Sequence, residues 1–116
     1  MIRKSEERQV TYKENVFQGE GGITIRNLLN GPEEMYGKGR AFAHNTLAPG
    51  SSLGFHVHQN EGEAYYILSG TGEFNDNGTI VTVAAGDVTF TGAGEGHALK
   101  NTGTEPLEFI ALIIYE

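Results

Sequence analysis

The chain of 116 residues contains no cysteine. This excludes a disulfide scaffold, a thiolate metal site and a cysteine nucleophile. It fits the reducing cytoplasm, which is the compartment expected. No apolar run is long enough to span a bilayer, and Met1–Arg8 has no apolar signal core, so no membrane partner is expected. Basic residues are few: 8 Lys and Arg stand against 15 Asp and Glu, a net charge of −7. Such an acidic surface repels phosphate backbones, so nucleic acid is not expected as a partner. Helix signals are nearly absent. Pro32-Glu33-Glu34-Met35 is the best candidate, and it is long enough for one turn only. Apolar residues at 38% and charged residues at 20% exclude a disordered chain. The length fits one domain with its own core.

Glycine, by contrast, is abundant: 17 residues, about twice the average usage of ~7%. Tight turns and short strands follow from that excess. Alternating or β-rich runs span Ile23–Leu29, Arg40–Leu47, Leu53–His58 and Glu63–Ser69. Asn75-Asp76-Asn77-Gly78 separates Phe74 from Thr79–Val83, and Asn-Gly between two strand patterns signals a hairpin. Val88–Thr91 is extended, Gly92–Gly96 is a loop, and His97–Asn101 and Leu107–Tyr115 are extended again. Nine or ten short strands without a repeat predict an all-β fold, a sandwich or closed barrel. Residues 1–20 read as a polar leader, either frayed or an extra edge strand, ahead of a barrel over residues 21–116.

Histidine is scarce: His44, His56, His58 and His97 are the four present. His56 and His58 are two apart, so on a strand both imidazoles face the same side. Glu63 follows five residues after His58, across the short turn Gln59–Gly62. His97 comes much later, behind the glycine-rich loop. Three imidazoles and one carboxylate make a good donor set for a divalent transition metal. Each residue also has a plainer reading: an exposed His pair, a surface carboxylate, a polar residue at a strand mouth. The case for a metal rests on the spacing among them.

That spacing resembles the cupin superfamily. Its first motif, G-x5-H-x-H-x3–4-E-x6-G, is filled by Gly50, His56, His58, Glu63 and Gly70. Its second, G-x5-P-x-G-x2-H-x3-N, is filled by Gly86, Gly94, His97 and Asn101. Gly92 stands where the family usually has Pro, which loosens a turn but removes no ligand. The two motifs span residues 50–101. Thr46–Gly50 and Asn101–Phe109 also look like the small proteins labelled oxalate-binding or "cupin 2". The resemblance implies a double-stranded β-helix, a jelly-roll barrel open at one end. It implies metal ligation by His56, His58, Glu63 and His97, and one divalent ion from among Mn, Fe, Co, Ni, Cu and Zn. Two adjacent positions on an octahedral ion would remain open for a small oxygen-rich ligand.

Other residues are candidates for supporting roles. Tyr65 shares the parity of Glu63 and is expected inside, where its hydroxyl could serve catalysis or simply pack. Glu61 is a candidate general base. Arg26 and Arg40 are candidate anion clamps, and His44 could line the pocket mouth, although an exposed strand position is the default for all three. The expected function is a metal-dependent cupin acting on a small carboxylate- or sugar-derived molecule held by chelation. Dioxygenase, decarboxylase, isomerase and lyase chemistry stay open, as does a non-catalytic module that binds or senses a small ligand. A homodimer is expected, because jelly rolls leave sheet edges and residues 9–17 could add a strand to a neighbour.

Overall fold

The computed structural model describes residues 1–116 and is built almost entirely from antiparallel strands. There are ten: β1 Val10–Glu14, β2 Gly22–Leu29, β3 Gly39–Leu47, β4 Ser52–Val57, β5 Glu61–Ser69, β6 Thr71–Asp76, β7 Thr79–Ala84, β8 Val88–Thr91, β9 Gly96–Asn101 and β10 Leu107–Tyr115. The remaining regular structure is three single 3-10 turns, at Ser5–Glu7, Val16–Gln18 and Pro32–Met35. No helix is long and apolar enough to cross a membrane. A six-stranded sheet in the order β1-β2-β3-β10-β5-β8 faces a four-stranded sheet in the order β4-β9-β6-β7. This is the expected all-β jelly roll.

Period-two alternation builds the core. β3 turns Ala43, Asn45 and Leu47 inward, β5 turns Glu63, Tyr65 and Ile67 inward, and β10 turns Phe109, Ala111 and Ile113 inward. Leu47, Ile67, Leu99, Leu107 and Phe109 are sealed from solvent and form the apolar floor. The β6–β7 turn is the Asn-Gly hairpin foreseen from sequence. Asn77 at φ 50° and Gly78 at φ 101° both adopt the left-handed region that a type I′ turn requires. The leader lies on its own chain: β1 pairs with β2 from Val10↔Arg26 to Glu14↔Gly22 and forms one edge of the larger sheet.

Two irregularities in strand pairing matter for the site. Between β4 and β9, Leu53 pairs with Leu99 but His56 pairs with His97, so β4 carries one extra residue at Gly54-Phe55. Leu53 points inward. Without the bulge, strict alternation would send His56 and His58 outward; with it, Phe55 and Val57 are exposed and the two histidines turn inward. Between β3 and β10, Ala41 pairs with Ile113 and Gly39 with Ile114, which leaves Arg40 unpaired. The bulge re-aims Arg40 away from the parity of its strand.

Candidate metal centre

The bulged end of β4, the start of β5 and the start of β9 meet at one end of the barrel. His56 and His97 face each other directly across the β4–β9 ladder, so their side chains share a face. His58 lies just past the end of β4, and Glu63 projects from the inward face of β5. One donor atom from each of these four residues lies within 4.8 Å of all the others. His97 Nε2 is 3.0 Å from His56 Nε2 and 3.1 Å from His58 Nε2. Glu63 Oε1 is 3.0 Å from His58 Nε2 and 3.1 Å from His97 Nε2. Two donors bound at right angles to one ion, at bonds of ~2.1 Å, stand about 3.0 Å apart. The cluster has the separations and the chemistry of a divalent-metal donor set, and these residues could hold one ion.

Each imidazole is oriented from behind. His56 Nδ1–H donates to the Gly54 carbonyl at 2.7 Å. His58 Nδ1–H donates to Glu61 Oε2 at 2.6 Å. His97 Nδ1 lies 2.8 Å from the Thr91 hydroxyl oxygen, which accepts its proton. With every Nδ1 so engaged, the tautomer leaves the Nε2 lone pair directed at the centre. Gly54 has a further task. A Cβ there would collide with the Phe17 carbonyl, so only glycine lets the leader turn pack onto the bulge.

Charge follows from this arrangement. Burial holds the His56 pKa below its usual value, against the raising effect of the Gly54 carbonyl. The Glu63 hydrogen bond raises that of His58, despite burial. For Glu63, burial is the largest single effect and opposes ionisation. Without a metal, His58 and His97 in their protonated forms donate to Glu63 through Nε2, and these bonds and their charge together outweigh burial and hold the pKa at about 2. The carboxylate is therefore ionised at neutral pH, as a ligand must be.

The structure brings Glu61 and Arg40 into this framework through each other. Arg40 Nε reaches Glu61 Oε1 and Arg40 Nη2 reaches Glu61 Oε2, both at 2.7 Å, a bidentate pair. Hydrogen bonding to Arg40 keeps the Glu61 carboxyl below its ordinary range. Both carboxylate oxygens are occupied, and the chain Arg40–Glu61–His58 fixes one ring of the cluster. Tyr65 is buried (2% exposed), and its ring stacks on His97 with centroids 5.1 Å apart. Burial, then the Glu63 charge, raises its pKa well above the usual tyrosine value, so the phenol keeps its proton. Arg26 and His44 lie elsewhere. They face each other across β2 and β3 on the outer side of the larger sheet. There Arg26 Nη1 donates to Thr46 Oγ1 at 2.9 Å, and His44 Nε2 is 2.8 Å from Glu108 Oε1.

A cavity of about 220 Å³ opens onto the cluster. Its walls include His56, His58, Glu63 and Tyr65, together with Asn45, Leu53 and, from the leader, Lys13, Val16 and Phe17. Phe17 stacks flat on His56, with ring centroids 3.8 Å apart and planes 13° from parallel. To reach this position Asn15, Phe17 and Gln18 adopt φ values of 53°, 51° and 66°, uncommon for residues with a side chain. The leader is therefore a wall of the site. Sequence reading placed Phe17 in a docking strand and overlooked Asn45. The signal for Asn45 was present: counting by twos along β3, it is the one polar residue among the inward positions Ala43, Asn45 and Leu47.

Residues 43–115 match the family model of the cupin domain. An oxalate-binding protein of Thermotoga maritima is 46% identical over 114 residues, which is 98% of this chain and 93% of that protein. The crystal structure of a predicted oxalate decarboxylase from the same species superposes with a TM-score of 0.95 at 46% identity, covering 100% of both chains. A mannose-1-phosphate guanylyltransferase of Escherichia coli is 33% identical over 67 residues, covering 58% of this chain but 14% of that enzyme. Fold, site and sequence agree that the chain belongs to the cupin family.

Proposed function

We propose that the protein binds one divalent metal ion through His56, His58, Glu63 and His97, and uses it to hold a small carboxylate that chelates through two oxygens. The convergence of three imidazole nitrogens and one carboxylate oxygen, with contacts of 3.0–3.1 Å, on the wall of a small cavity carries this reading. A bound divalent ion would supply Lewis-acid attraction for oxygen donors. At about 220 Å³ the cavity is smaller than the ~300–1,000 Å³ pockets that hold drug-sized ligands, which suits a small acid better than a cofactor. The similarity to an oxalate-binding protein supports the same ligand class.

The surroundings favour binding over turnover. Glu61, the carboxylate nearest in sequence to the ligands, has both oxygens committed to Arg40 and His58. Tyr65 holds its proton far above neutral pH. His44 is on the opposite face of the sheet. Neither Glu61 nor Tyr65 therefore offers a free base to a ligand on the cluster. Calorimetry of Mn- or Ni-loaded and metal-free protein against oxalate tests the proposal. Binding to the loaded form alone supports it. Equal binding to both forms, or none to the loaded form below about millimolar, overturns it. Release of formate from oxalate would replace binding with catalysis.

A further inference from the structure

Apart from its imidazoles, the cavity beside the His–Glu cluster has three charged side chains on its walls: Lys13, Arg40 and Glu63. Arg40 is engaged by Glu61 through two hydrogen bonds. Glu63 belongs to the metal donor set. Lys13 is different: it takes part in none of the molecule's ion pairs. Its direction is set by the β1–β2 ladder, where Lys13 stands opposite Ile23. Residues opposite each other share a face, and Ile23 is buried in the core, so that face is the inner one. Lys13 is therefore a solvent-accessible cation with inward parity, on the wall of the cavity, in a chain of net charge −7.

We propose that Lys13 is the counter-charge for a doubly charged ligand and sets a preference for a small dicarboxylate over a singly charged acid. This rests on the metal-chelation reading given above. A divalent ion held by the Glu63 carboxylate and three neutral imidazoles keeps a single net positive charge. A chelating monoanion cancels it. A dianion leaves one negative charge over, in a cavity where unpaired charge is costly. Arg40 is already balanced by Glu61, so Lys13 is the cation left on these walls to offset that charge. A lysine ammonium is a compact charge on a flexible stem, suited to ligand oxygens that the metal does not take. An inward lysine on an edge strand also deters pairing with another chain, and the test separates the two roles.

Oxalate and oxamate have nearly the same shape and the same chelating oxygens, but oxamate carries one charge fewer. Their affinities are measured by calorimetry for the Mn-loaded wild-type, Lys13→Gln and Lys13→Arg proteins, with metal content, melting temperature and mass recorded. All three proteins should hold one metal and melt alike. Lys13→Gln should lose about fivefold in oxalate affinity and less than about twofold in oxamate affinity, as for removal of one solvent-accessible ion pair. Lys13→Arg, which keeps the charge, should bind oxalate as the wild type does. High salt should narrow the gap between wild type and Lys13→Gln for oxalate. If the wild type binds both acids and Lys13→Gln changes neither affinity, or both equally, the role of Lys13 is overturned while metal chelation stands. A change of mass in Lys13→Gln with both affinities intact overturns it too, and assigns the lysine to guarding the sheet edge. If the metal-loaded wild type binds neither acid, both readings are overturned.

Discussion

The molecule places histidine in two settings, one inside the barrel and one on the outer face of the larger sheet. Inside, His56, His58 and His97 each spend Nδ1 on a backing acceptor and converge at Nε2 on Glu63. Outside, His44 meets Glu108 through a single nitrogen, with Arg26 beside it, and nothing converges. The residue types are the same. The difference is that the inner rings are held from behind, so their free lone pairs meet at one point, whereas the outer ring is half-exposed and has one partner. The capacity to hold a metal comes from that orientation rather than from composition.

The strongest way to break the comparison is to remove an inner ring. His97→Ala should bind less than about a tenth of an equivalent of metal by elemental analysis, while His44→Ala keeps the wild-type content. In the wild type, metal at 100 times its Kd should add about 2.7 kcal/mol of stability. That is a rise in melting temperature of the order of 10 °C for a domain of this size, and it should vanish in His97→Ala. A smaller effect is expected one layer out. Arg40→Ala or Glu61→Gln should weaken metal binding about 10- to 100-fold without abolishing it, because His58 loses its orienting partner. Competition with a chelator of known affinity measures this directly.

The outer face can be sharpened next. Val10, Tyr12, Tyr66, Leu68, Val88 and Phe90 are all exposed on that side of the larger sheet, and exposed apolar patches mark interfaces. A homodimer of twice 12.5 kDa is the expected mass by light scattering at micromolar concentration. Tyr66→Glu with Phe90→Glu should shift it toward one chain while leaving the metal content unchanged. The outer His44–Glu108 contact should matter little to the fold: His44→Ala is expected to alter stability by less than about 1 kcal/mol in chemical denaturation.

The smallest effect concerns acid. Arg3 holds Glu34 through a side-chain hydrogen bond, aided by the Asn30 backbone N–H, and its pKa falls from 4.5 to about 2. A lowered folded-state pKa contributes stability that is complete above 4.5 and is lost as pH falls toward 2. Glu34→Gln should therefore flatten part of the acid limb of a stability-versus-pH curve between those values and change little at pH 7.

The sequence by itself determined a good deal. Hairpin and strand signals are local, so the all-β class, the Asn77-Gly78 turn and most strands were legible in it. The motif spacing singled out His56, His58, Glu63 and His97, which the structure gathers into one cluster. Period-two parity correctly sent Tyr65 inward with Glu63. Only the tertiary structure decided the rest, because each remaining feature depends on pairing between distant strands. Parity misleads wherever a bulge intervenes, and the bulges at Gly54-Phe55 and Arg40 are properties of a ladder, not of one strand. The Arg40–Glu61 pair joins residues 21 apart in the chain. It turned a candidate anion clamp and a candidate base into supports for His58. The fate of Phe17 depended on where the leader returned after β1, and that of Lys13 on the register of β1 against β2. Both are settled by pairing and close packing across the barrel, which no short stretch of sequence contains.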